Sequence, residues 1–151
     1  MRYKNIFIIC LITILAVFVF YRVVSNPSQG NKITTQLQLQ NSLITQTNSE
    51  GSVTVKITPE NISEDIKTWQ FQVILDTHTG SLDENLTKSA ELTDEKRNKL
   101  LPLSWDGDPP GGHHREGVLT FPAFQERPQS VTLILRNVGG IAEREFIWRI
   151  Q

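Results

Sequence analysis

Cysteine is nearly missing from this chain: 151 residues contain one, Cys10, inside the apolar N-terminal run. The part beyond that run therefore has no disulfide and no thiolate metal ligand, so packing must stabilise it. A charge excess is missing too. Fifteen Lys and Arg stand against sixteen Asp and Glu, a formal net charge of -1, which provides no field for holding a polyanion and excludes nucleic acid as a partner class. There is no Gly-x-Ser-x-Gly elbow, phosphate-cradling glycine loop or His-Glu-x-x-His pair, so the common hydrolase, nucleotide and zinc-protease motifs are absent. Strong helical periodicity is missing after the N-terminus; Ile62 to Lys67 offers at most one turn.

What is present begins with an anchor. Arg2 and Lys4 precede an apolar segment from Ile6 to Val24, broken only by Arg22. Its length approaches the ~20 residues a helix needs to cross the hydrocarbon core. Phe20, Tyr21, Arg22, Val23 and Val24 are too large for a signal-peptidase site, so residues 1–24 are expected to remain as a signal anchor, with Cys10 packed in the membrane. Basic residues ahead of the segment predict a single-pass protein with its C-terminal part outside the cytoplasm. Residues 25–50, rich in Gln, Asn, Ser and Thr, read as a polar linker. If flexible, it would span about 25 to 30 Å. An edge strand is the other reading of Leu37 and Leu39 among glutamines.

Residues 51–151 are long enough for one domain with one core. Apolar residues alternate with period two at Val53, Val55 and Ile57; at Trp69, Phe71, Val73 and Leu75; at Ala90 and Leu92; and at Leu119 and Phe121. The same period governs Val131, Leu133 and Leu135, and Phe146, Trp148 and Ile150. Such alternation is the mark of half-buried strands. The intervening turn signals, among them Gly139-Gly140, predict an all-β, antiparallel sandwich of six to eight strands, immunoglobulin-like in architecture but without that family's cysteine pair.

One loop is too long and too specialised for a turn: Ser104-Trp105-Asp106-Gly107-Asp108-Pro109-Pro110-Gly111-Gly112-His113-His114-Arg115-Glu116-Gly117. Prolines fix φ and glycines allow it to be positive, so polar groups are presented on a restrained backbone. Trp105, Asp106, Asp108, His113, His114 and Arg115 are the candidate ligand or partner residues, and an envelope protein is the expected partner. His78 ends the second strand after Asp76 and Thr77. Imidazoles suit zinc and copper, so His78, His113, His114 and Asp76 form a candidate divalent-metal set, which Asp106 and Asp108 would extend. The alternative is a lock: histidines bonded to backbone carbonyls, and Arg115 paired with Asp106 or Asp108. A hydrolase built from His113, Asp106 and Ser104 is the third reading, with spacing as its only warrant. Asp106-Gly107-Asp108 opens like a calcium loop, but the later ligands do not follow. Asn61-Ile62-Ser63 and Asn85-Leu86-Thr87 match the glycosylation tripeptide, which has meaning only in a eukaryotic secretory pathway.

Trp69-Gln70-Phe71, Leu75-Asp76-Thr77-His78, Trp105-Asp106-Gly107 and the run from Pro110 to Gly117 together resemble a family of uncharacterised exported or membrane-anchored prokaryotic domains. The resemblance covers about residues 66 to 150 and brings no established activity or cofactor. It implies that His78, His113, His114 and Arg115 belong to the signature.

Overall fold

A computed structural model describes residues 43–63 and 65–150. The expected membrane helix and most of the expected linker lie outside the described residues. Among the described residues, no helix is long and apolar enough to cross a membrane. The described chain is nearly all β, with two antiparallel sheets facing each other as a sandwich.

The first sheet holds β1 (Gln46–Asn48), β2 (Val53–Asn61), β3 (Thr68–Thr77), β7 (His114–Pro122) and β6 (Ser104–Gly107), in the order β1-β2-β3-β7-β6. The second holds β4 (Ala90–Asp94), β5 (Lys99–Leu100), β8 (Ser130–Val138) and β9 (Ile141–Arg149), in the order β5-β4-β8-β9. These nine described strands exceed the expected six to eight because β1 and β5 are short edge strands whose period-two signal is too brief to read. β1 lies within the polar 25–50 stretch: Gln46, Thr47 and Asn48 pair with Ile57, Lys56 and Val55. Among the described residues the one helical turn is α1 (Leu86–Ser89), capped by Asn85, whose side chain accepts from the Thr87 N–H. It is not at 62–67, where no described residue is helical.

Every inward face read from the period-two pattern is buried. Val53, Val55, Ile57, Trp69, Phe71, Val73, Leu75, Ala90, Leu92, Leu119, Phe121, Val131, Leu133, Leu135, Phe146, Trp148 and Ile150 form one core between the sheets. Phe71 meets Phe121 edge-on at 5.8 Å and lies 5.6 Å from Trp148, so aromatic packing joins the two sheets at mid-core.

Strand direction gives the sandwich two distinct ends. The β1–β2 turn, the loop after β3, the β6–β7 loop and the β8–β9 turn gather at one. The chain enters at the other, where Leu43 and Ile44 precede β1, beside the β2–β3 and β7–β8 loops and the end of β9.

Candidate functional site

The distinctive loop connects β6 to β7, and the register explains its shape. Gly107 pairs directly with Gly117. A Cβ on Gly107 would stand 2.5 Å from the Gly117 Cα, and one on Gly117 would stand 2.6 Å from the Gly107 Cα, with the Trp105 ring at 2.8 and 2.7 Å. The indole lies flat across a gap that only two glycines leave open. Its Nε1 donates to the Asp108 carbonyl at 2.9 Å, fixing the first turn of the loop. At the far side Gly111 and Gly112 adopt φ of 122° and 71°, conformations that side-chain-bearing residues rarely hold.

Arg115 is the keystone. Counting back by twos from Leu119 through Gly117 places it on the inward face, and its side chain is 1% exposed. Its guanidinium donates to three backbone carbonyls: Leu82 at 3.0 Å, Glu84 at 2.8 Å and Asp108 at 3.3 Å. It also lies 5.6 Å from the Trp105 ring centroid, a cation–π distance. Burial pushes its pKa down, while Glu84, Asp108 and Asp83 oppose that shift, and the group remains a cation. Arg115 thus ties the β6–β7 loop to the segment after β3. Backbone bonds complete the tie: Thr77 N–H to the His113 carbonyl at 2.8 Å, Leu82 N–H to Gly112 at 3.1 Å and Gly111 N–H to Leu82 at 2.9 Å.

The expected pairing of Arg115 with a carboxylate of Asp106 or Asp108 is corrected in detail. Arg115 takes the Asp108 carbonyl, because the Asp108 carboxylate is committed to the Glu116 N–H at 2.9 Å. The Asp108 N–H in turn donates to the Glu116 carbonyl at 3.0 Å.

His114 faces the opposite way, onto the outer surface of the first sheet. Its cross-strand neighbour is Asp76, and its Nδ1 lies 2.6 Å from Asp76 Oδ1. The bond to Asp76 raises the imidazole pKa above its usual value, the more so for nearby Glu116 and Asp108, although partial desolvation opposes it. Lys56 lies 3.8 Å from the other Asp76 oxygen, Glu116 Oε2 lies 3.9 Å from His114 Nε2, and Gln72 Nε2 donates to Glu116 Oε1 at 2.8 Å. The result is a surface strip of paired charges.

The other expected residues separate. His78 and His113 are exposed, and no side-chain hydrogen bond or ion pair reaches either among the described residues. The Thr77–His113 backbone bond nonetheless brings the strand end before His78 against the loop, so the two halves of the expected site share one end of the sandwich. Among the described residues no three His, Asp or Glu side chains are grouped to hold a metal ion. Ser104 pairs with Thr120, and His113 lies just before β7, seven positions back along it, roughly 23 Å at strand rise. The triad geometry needed by the hydrolase reading is not assembled. Both ends of the expected loop are strand, 104–107 in β6 and 114–117 in β7, so the loop proper is 108–113; Asp106 is exposed on β6, and Pro109 and Pro110 are exposed on the loop.

Two residues of this end escaped the sequence reading. Arg144, 1% exposed, sits at the inward position reached by continuing from Ile150, Trp148 and Phe146. It donates through Nε to the Val138 carbonyl at 3.3 Å and through Nη2 to the Glu50 carbonyl at 2.7 Å, and also bonds the Asn48 side-chain oxygen. Glu84 lies between the two arginines: its Oε1 accepts from the Gly139 N–H at 2.9 Å, and its charge acts on both guanidinium groups. The available signal was an arginine in phase with apolar neighbours.

No family model, no curated protein and no solved structure matches the chain.

Proposed function

We propose that this chain is a single-pass membrane protein whose immunoglobulin-like domain, outside the cytoplasm, binds an envelope protein through the loop of residues 105–117. The observation that carries this reading is the Arg115 clamp. It holds the backbone of the β6–β7 loop while leaving Pro109, Pro110 and His113 exposed on it and Asp106 exposed on β6 beside it. A loop already ordered before contact avoids the entropy of ordering on binding, which favours recognition. Its place supports the same reading: Leu43 and Ile44 lie at the opposite end of the sandwich, so the first described residues leave the loop uncovered. The anchor, from the sequence alone, supplies the membrane part.

A divalent-metal module has less support. His114 Nδ1 is committed to Asp76, and His78 and His113 are not grouped with further ligands among the described residues. Zinc or copper binding by this end would call for rearrangement of a backbone that Arg115 restrains.

Photo-crosslinking in native membranes tests the binding reading, with the reactive residue at His113 or, as a control, at exposed Gln125 near the entry end. A discrete adduct from position 113 that is absent from 125 is the expected result. Equal labelling from both positions, or none from 113, contradicts it.

A further inference from the structure

β1 is only three residues long, yet it touches both sheets. It is the edge of the first sheet through its pairing with β2 and lies beside β9, the edge of the second. Three alternate residues of this segment engage β9 in antiparallel order. The Ile44 carbonyl accepts from Trp148 Nε1 at 2.8 Å. The Gln46 side-chain amide accepts from the Ile147 N–H at 3.1 Å and donates to the Ile147 carbonyl, taking the place of a neighbouring strand. Asn48 receives the Arg144 guanidinium. On its other side, Thr45 and Thr58 hydroxyls are bonded at 2.7 Å. An edge strand normally carries unpaired backbone groups; here two edges cover each other through one short strap.

We propose that this strap, residues 44–48, is a mechanical clasp that carries tension along the sandwich between the N-terminal entry point and the β6–β7 loop at the far end. β1 runs from the entry end toward the loop end. A pull between residues before Leu43 and a point at Pro110 therefore lies along β1, and its bonds to β2 and β9 resist together, in shear. The end of β9 is at the entry end, so a pull between the N-terminus and Arg149 opens the β1–β9 contacts from Ile44–Trp148 onward, one after another. Bonds loaded together withstand more force than the same bonds loaded singly. The physiological sense of the clasp rests on the tethered-binder reading above, but its direction dependence does not.

Single-molecule pulling on the full chain separates the two. With Cys10→Ser as background and one handle at the N-terminus, the second handle is placed at Pro110→Cys or at Arg149→Cys. The unfolding force is expected to be higher for the 110 attachment than for the 149 attachment. Gln46→Ala with Asn48→Ala, which keeps the β1–β2 backbone pairing, is expected to abolish most of that difference while the 149 pull changes little. Equal forces in the two directions, or a 110 pull unaffected by the double variant, overturns the clasp. Neither outcome bears on whether position 113 crosslinks a partner.

Discussion

The two ends of the sandwich are closed by different physics. At the loop end, two fully buried guanidinium groups gather carbonyls from several loops: Leu82, Glu84 and Asp108 on Arg115, Val138 and Glu50 on Arg144. At the entry end, Trp69 packs edge-on against half-buried Phe124 at 5.5 Å, and the loops meet at the surface through the exposed Lys96–Glu126 pair at 2.8 Å. An open cleft of about 610 Å³ lies beside that pair, lined by Leu100, Pro122, Phe124 and Pro128 among others. Apolar packing tolerates such a gap. Carbonyls gathered on a buried cation do not, because each one released without a partner costs about 1–3 kcal/mol. Rigidity is therefore expected to concentrate at the loop end.

Replacing Arg115 gives the largest effect. Arg115→Ala takes a donor from three carbonyls and leaves the Glu84 carbonyl without one, while Leu82 keeps the Gly111 N–H and Asp108 keeps Trp105 Nε1; with the void it opens, the change is expected to destabilise the domain by about 2–4 kcal/mol in denaturant titration. Arg115→Lys is expected to recover only part of that loss, since one ammonium cannot reproduce the planar fork. Gly117→Ala ranks next: its methyl would meet the Gly107 Cα at 2.6 Å and the Asp106 carbonyl at 2.6 Å, an overpacking cost of about 1–3 kcal/mol visible as a lower Tm.

How far these residues could be read from sequence differs by chemistry. The apolar faces were legible because each strand alternates cleanly, down to Trp69 and Trp148 as core. Arg115 and Arg144 obey the same alternation, yet a charged side chain at an inward position is evidence of burial only once its partners are known. Those partners are backbone carbonyls of distant loops, which carry no residue signature. Trp105 across the Gly107–Gly117 pair needed the β6–β7 register. That His78 and His113 share one end was not legible, because it depends on the β3–β7 pairing.

Smaller effects sharpen the contrast. His114→Gln is expected to remove under about 1 kcal/mol, since the bond to Asp76 is solvent-exposed. The folded-state pKa of His114 is raised, so the bond's stabilisation is fully present below the unfolded value of about 6.5 and is lost as pH rises through the higher folded value. The difference between the original chain and His114→Gln should accordingly shrink from pH 6 toward pH 9 in paired denaturation curves. A difference that grows with pH would contradict the assignment. Lys96→Ala at the entry end is expected to leave the denaturation midpoint unchanged, the exposed pair being screened by water.

Hydrogen exchange followed by mass spectrometry tests the central claim most directly, comparing segment 108–113 with segment 123–129 in the intact chain. The arginine clamp predicts slower exchange at the loop end, notably at the Asp108 and Gly111 amides, and acceleration of that segment in Arg115→Lys while 123–129 stays the same. Exchange at 108–113 as fast as at 123–129 in the original chain would contradict a loop held in advance of its partner.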